Sequence, residues 1–220
     1  MVVDKMPIYL LPGMVRDFPF YSKLLRLLPT AEVVPFIDPE PNESLHSYAQ
    51  RMSTQFPKPC LIGGVSFGGI VAQEISRVIQ PAGCIVIASI QQPSELPLKL
   101  RLCRLLGKRF CSWGLNTLGT VANAIPDSIR NSSTASLTVL SCASGQWERW
   151  VASSVLSWSP ESPLATPLLH IHGDADTIFP LRYTHPDVIV PNGRHDLPRS
   201  HPVAVADAIQ RFVCTLEPSE

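Results

Sequence analysis

Apolar runs and helical stripes alternate along the first part of the chain. Ile8-Tyr9-Leu10-Leu11 is a short apolar run closed by Pro12-Gly13, which predicts a buried strand and a turn. A helix is expected over about 20–28, where Leu24, Leu25, Leu27 and Leu28 supply an apolar face. Residues 31–37 read as a second strand, closed by Asp38-Pro39-Glu40-Pro41. Over 42–56, Leu45, Tyr48, Ala49 and Met52 recur at helical spacing. A third strand is expected over 60–65, a helix over 67–79 and a fourth strand over 83–88. The fourth is a continuous apolar run without alternation. Unbroken apolar strands alternating with helices predict a parallel sheet covered on both faces. The fold class is therefore α/β, a three-layer α/β/α sandwich with right-handed crossovers.

The rhythm then breaks. From about 91 to 162 no strand of comparable quality occurs. Amphipathic segments replace it, with Leu98, Leu102, Leu105 and Leu106 at helical spacing. Trp113, Trp147, Trp150 and Trp158 all fall in this region. The sheet resumes at Leu168-Leu169-His170-Ile171-His172 and again at Val188-Ile189-Val190. A last helix is expected over 202–216, with Val203, Ala206, Ile209, Gln210 and Val213 on its packed side. The expected organisation is one core from 1–90 and 163–220, with 91–162 as a helical insertion above the carboxyl ends of the strands. There is no internal repeat or low-complexity linker.

Composition narrows the function classes. A chain of 220 residues suits one domain with a sizeable core. Its 18 basic and 18 acidic residues argue against a general nucleic-acid or membrane-surface role. No apolar run reaches the roughly 18 residues of a membrane span. The stretch from Met1 to Lys5 leads into the first strand without an apolar signal core, so a cytoplasmic location is expected. The six cysteines, Cys60, Cys84, Cys103, Cys111, Cys142 and Cys214, are scattered without a Cys-x-x-Cys pair, and their even number does not imply disulfides in that setting.

The chemistry centres on Gly64-Val65-Ser66-Phe67-Gly68, where a predicted strand turns sharply into a predicted helix. Such a turn strains its central residue and projects the side chain upward. The helix N-terminus behind it favours developing negative charge. That is what a serine nucleophile needs. A structural serine in a glycine-rich turn fits the same residues. A phosphate-binding loop fits less well, because no Gly-Lys-Ser/Thr ending follows.

A serine hydroxyl also needs a base. Of six histidines, His195 lies in Pro191-Asn192-Gly193-Arg194-His195-Asp196, directly after the last predicted strand. Loops at the carboxyl ends of parallel strands gather at one edge, which places His195 with Ser66. His201, His46 and His185 fall on a helix or at the opposite edge. Two aspartates compete to orient the base, in His172-Gly173-Asp174-Ala175-Asp176. Asp176 sits deeper in the loop, with room to turn toward His195. Asp174 follows the turn glycine and suits nearby backbone amides. Asp196 adjoins His195 and is badly placed to face its ring. His170-x-His172-x-Asp174 also has metal-ligand spacing, but on a strand expected to be buried.

Taken together, these residues resemble the α/β-hydrolases in a compact, lid-bearing, carboxylesterase-like form. The matching motifs are Gly64-x-Ser66-x-Gly68, His172-Gly173-x-x-Asp176-x-x-x-Pro180 and Gly193-x-His195, in the family order of serine, acid and histidine. The resemblance covers nearly the whole chain outside the insertion. It implies Ser66 as nucleophile, Asp176 as acid and His195 as base. It further implies an oxyanion hole from the backbone N–H groups of Phe67 and Met14, with Val15 in reserve. Many relatives have His-Gly where this sequence has Pro12-Gly13. Too few residues precede Ile8 for the usual opening hairpin, so about six parallel strands are expected, in the order 2-1-3-4-5-6.

The implied activity is hydrolysis of a small-molecule carboxylic ester or thioester through an acyl-enzyme, without cofactor or metal. A lyase with the same triad and a non-catalytic ligand-binding protein on the same scaffold are the alternatives. Lys99, Arg101, Arg104, Lys108 and Arg109 cluster at the start of the insertion, with Arg101, Arg104 and Lys108 on one face. That stripe is either a solvated face or a docking patch for an acyl carrier or a coenzyme A-linked substrate.

Overall fold

The computed structural model describes residues 6–16, 19–105 and 145–216. Leu106, Lys108, Arg109, Cys111, Trp113 and Cys142 lie outside the described residues. Six parallel strands form one sheet: β1 (Ile8–Leu11), β2 (Ala31–Val33), β3 (Leu61–Val65), β4 (Gly83–Ile87), β5 (Leu168–Gly173) and β6 (Val188–Val190). Their order is β2-β1-β3-β4-β5-β6, as expected. The register sets Leu11 beside Gly64 and Val65 beside Ile87, so β1, β3 and β4 end almost level.

Alternate side chains of the inner strands feed two separate cores, one on each face. Tyr9, Leu11, Ile62, Cys84 and Val86 pack against α2 (Leu45–Ser53) and α3 (Phe67–Ile79). Ile8, Leu10, Leu61, Val65, Ile85 and Ile87 pack against α1 (Ser22–Leu25), α6 (Leu197–Ser200) and α7 (Pro202–Leu216). Both faces are covered, which is why the strands lack a polar alternation. Each fully buried Leu, Ile or Val contributes about 1.5–3 kcal/mol. Between β4 and β5 the described residues form α4 (Leu98–Leu105) and α5 (Gln146–Ser157). No helix among the described residues is long and apolar enough to cross a membrane.

Local chemistry explains where elements fall short of their expected bounds. β2 stops at Val33 because Pro35 has no N–H to donate, although Val34 N–H still reaches Leu10 O at 2.9 Å. α2 starts only at Leu45 because Ser44 caps it, its Oγ accepting from Ser47 N–H at 3.1 Å. The stretch over 20–28 holds a 3-10 turn, Pro19–Tyr21, and the short α1, with Pro29 close behind.

The turn after β3 depends on two glycines. A methyl on Gly64 would overlap the backbone of Gly68, and one on Gly68 would overlap the carbonyls of Leu11 and Pro12. Neither obstacle is a side chain that could swing away. Tyr21 closes the same region from below: its hydroxyl donates to Leu11 O at 2.8 Å and accepts from Val65 N–H at 3.1 Å. Gly68→Ala is expected to lower stability by about 1–3 kcal/mol, the usual cost of overpacking. A urea midpoint matching the native protein would show that the turn relaxes freely.

Candidate active site

Ser66 follows β3 and takes φ 55° and ψ −122°, a conformation that side chains rarely adopt. Strain of this kind costs on the order of 1–3 kcal/mol and persists only where neighbours hold it. Here they do. Ser66 N–H donates to Ile87 O at 3.0 Å, and Ser66 O accepts from Gly69 N–H at 3.0 Å and from the Ser89 hydroxyl at 2.6 Å. The side chain of Ser66 makes no capping bond to α3. Among the described residues its Oγ forms no hydrogen bond, in keeping with apo sites whose catalytic contacts tighten only on substrate binding.

Asp176 is buried, and each of its oxygens has a separate task. Oδ1 accepts from Ile178 N–H at 2.8 Å and Phe179 N–H at 3.0 Å. Oδ2 lies 2.8 Å from His195 Nδ1. Asp176, not Asp174, is therefore the carboxylate that binds loop amides, while Asp174 is exposed. The two loops meet because Gly173 and Gly193 touch backbone to backbone, and Ala175 N–H donates to Gly193 O at 3.0 Å. With Nδ1 on the carboxylate, His195 leaves Nε2 free to face a substrate.

The other histidines are engaged elsewhere. His46 lies 3.8 Å from Glu74, His201 Nδ1 pairs with the Ser200 hydroxyl, and His185 accepts from Gln91 through its carbonyl and binds Glu95 through its backbone N–H. His170 and His172 are fully buried beneath the site. Gln91 Nε2 donates to His170 Nδ1 at 3.0 Å, and His172 Nε2–H donates to Phe179 O at 2.7 Å. Those bonds leave His170 Nε2–H to bridge Ser89 O at 3.1 Å and His172 Nδ1 at 3.2 Å. All four ring nitrogens of this pair are thus occupied by protein groups. Burial pushes the His170 imidazole down to about 3, with His172 adding to the effect, and burial lowers His172 as well. A neutral His172, 3.6 Å from Asp176 Oδ2, leaves that oxygen to His195.

The loop from which the second oxyanion donor is expected follows β1. Gly13 packs against the turn, where an added methyl would stand 3.7 Å from Ser66 Cβ. Arg16 N–H donates to Gly13 O at 3.2 Å, which closes a tight turn around Met14 and Val15. The N–H groups of Met14 and Phe67 donate no hydrogen bond among the described residues. Three indoles tie α5 and its C-terminal flank to the sheet domain. Trp147 donates to Met14 O at 2.7 Å, Trp150 to Glu43 O at 2.9 Å and Trp158 to Glu74 Oε1 at 2.8 Å. Arg104 donates to Leu156 O at 3.2 Å and to Trp158 O, so its charge is spent on the end of α5. Arg101 is exposed.

A groove of about 590 Å³ lies between the loop before α2 and α5. None of Ser66, Asp176, His195, Met14 and Phe67 lines it.

Searching found solved structures that match along almost their whole length. A thermophilic esterase from Thermogutta terrifontis aligns at TM-score 0.62 and 19% identity, covering 96% of this chain and 90% of that one. The RedJ thioesterase of prodiginine biosynthesis in Streptomyces coelicolor aligns at TM-score 0.58 and 16% identity, with the same coverage of 96% and 90%. A hydrolase from Pseudomonas aeruginosa aligns at TM-score 0.63 and 12% identity, covering 94% and 90%. The chain has the α/β-hydrolase fold. No family model and no curated protein matches the sequence. Within this α/β-hydrolase fold, the six-stranded sheet carries Ser66, Asp176 and His195 past the carboxyl ends of β3, β5 and β6.

Sequence reasoning missed the partners of these residues. Ser89, which holds the Ser66 carbonyl, was visible only as a polar residue just past β4, at the same edge. The Trp147–Met14 bond spans 133 positions and leaves no local signal.

The buried histidine pair makes stability pH-dependent. In the unfolded chain an imidazole takes a proton near 6.5. In the folded protein His170 stays neutral until about 3. Between those values the unfolded state binds more protons, so stability is lost as pH falls, by up to about 1.4 kcal/mol per pH unit for each group. Urea midpoints between pH 7 and pH 4 should fall more steeply for the native protein than for His170→Gln. Equal slopes would show that His170 titrates normally in the folded state.

Proposed function

We propose that this chain hydrolyses carboxylic esters or thioesters through an acyl-enzyme, with Ser66 as nucleophile, His195 as base and Asp176 as the orienting acid. The observation that carries the reading is the 2.8 Å contact between Asp176 and His195, at the sheet edge where Ser66 is held at positive φ. The esterase and thioesterase names among its structural neighbours point the same way.

In this reading, Ser66 Oγ attacks the acyl carbonyl while His195 Nε2 takes its proton. By holding Nδ1–H, Asp176 keeps Nε2 unprotonated and ready to accept, and it then stabilises the imidazolium. The Met14 and Phe67 N–H groups receive the oxyanion, reinforced by the start of α3. His195 then protonates the departing alcohol or thiol. In the second half it deprotonates water, which attacks the acyl-serine and returns the enzyme.

Of the expected lid, 91–162, the described helix α5 packs beside Met14 and Phe67 through Trp147. A carrier-borne or coenzyme A-linked acyl group would approach along the basic stripe. Arg101 is the exposed member, Arg104 is committed to α5 and Lys108 lies outside the described residues.

Intact mass after fluorophosphonate treatment tests the assignment. One adduct is expected on the native protein and none on Ser66→Ala, whose turnover should fall by about 10³-fold or more. Lack of an adduct on folded native protein would sink the hydrolase reading and favour a binding protein. Asp176→Asn should cut kcat by about 10²- to 10⁴-fold, because an amide favours the wrong imidazole tautomer. A variant with native kcat would remove Asp176 from the triad. Activity on p-nitrophenyl esters against pantetheine thioesters of matched acyl length separates esterase from thioesterase.

A further inference from the structure

Trp147 touches both residues assigned above to the oxyanion hole. Its Nε1–H donates to Met14 O at 2.7 Å, and its ring meets the Phe67 ring edge-on at 6.0 Å between centroids. The Arg16 guanidinium lies 3.7 Å over the centre of the indole, while its Nη2 pairs with Asp38 at 3.0 Å. Arg16 itself has φ 52°, an unfavourable value for a side-chain-bearing residue.

The loop 13–16 therefore has one internal hydrogen bond, from Arg16 N–H to Gly13 O, and a strained final residue. Left alone, such a turn would interconvert between conformers that aim the Met14 N–H differently. Fixing the Met14 carbonyl constrains ψ of Met14. The stacked Arg16 constrains the far side of the turn. Between them the direction of the Met14 N–H is determined. On the other side, Phe67 is pinned by Trp147 together with Phe36 and Trp150, at 5.7 and 5.8 Å from those two rings.

We infer that Trp147 is a positioning residue for the oxyanion hole, aligning the Met14 N–H through its carbonyl and steadying Phe67 through its ring. The inference rests on the acyl-transfer reading. It adds that α5, which lies far along the chain from the loop, completes the transition-state site. A donor misplaced by about 1 Å loses much of its effect, because the hole acts only when correctly aimed.

The test is Trp147→Phe, which keeps an aromatic ring and removes the N–H. Measured together are kcat, KM, the melting temperature and the inhibition constant of an alkylboronic acid. The boronic acid adds Ser66 Oγ to boron without a leaving group and places one oxygen in the hole. The expected result is a fall in kcat of about 10- to 100-fold, KM within about twofold, and a boronate constant raised by the same factor as kcat falls. Trp158→Phe, which removes the indole N–H bound to Glu74 Oε1 and touches neither Met14 nor Phe67, should leave both values within about twofold.

If Trp147→Phe fails to fold, Arg16→Gln carries the same expectation at smaller amplitude. It removes the cation stacked on the ring. Unchanged kcat and boronate affinity in a folded variant would overturn the positioning role. So would a loss confined to KM, or one matched by Trp158→Phe. Absence of Ser66-dependent turnover and boronate binding in the native protein would overturn the acyl-transfer reading itself, and the positioning role with it.

Discussion

The meeting of three backbones at Gly64 and Gly68 constrains the rest of the molecule. The end of β1, the end of β3 and the start of α3 approach so closely that no Cβ fits between them. That contact forces the chain through positive φ at Ser66 and lifts its hydroxyl clear of the sheet. It also brings the loop after β1 against the serine, which makes Gly13 its neighbour. The strain is offset by bonds that converge on the Ser66 peptide from Ile87, Gly69 and Ser89. The geometry of Ser66 and the packing of the sheet are thus the same structural fact.

A second layer lies beneath the polar side chains. Gln91, His170, His172 and the Phe179 carbonyl form a continuous run of hydrogen bonds under the loops that carry Asp176 and Ser89. One assignment of donors, with both imidazoles neutral, satisfies every contact in the run. The Phe179 peptide closes the run, because its N–H binds Asp176 Oδ1 while its carbonyl takes the His172 proton. A buried polar network is stabilising only when every member is satisfied, and this one is. It links the Asp176 loop to the Ser66 turn through Ser89.

The sheet and the polar residues of the site were legible because each is encoded locally. Buried strands read as unbroken apolar runs, and Ser66, Asp176 and His195 each sit in a loop just past a strand. The order of the strands followed from the resemblance those loops carried. The rest depends on contacts between distant residues. The indoles of Trp147, Trp150 and Trp158 fitted an acyl pocket or lid packing equally well. Only in three dimensions do their N–H groups reach Met14, Glu43 and Glu74. Arg104 fitted a charged outer stripe by spacing, yet it turns inward to the carbonyls at the end of α5. Spacing along one helix says nothing about what a second helix offers it.

The two outermost strands, β2 and β6, are three residues each, Ala31–Val33 and Val188–Val190. Each is soon followed by a proline, Pro35 or Pro191, which has no N–H. An incoming strand would find too short a row of backbone groups on either side to build a ladder. The fold thus protects itself from edge-to-edge aggregation without placing a charged residue at every border position.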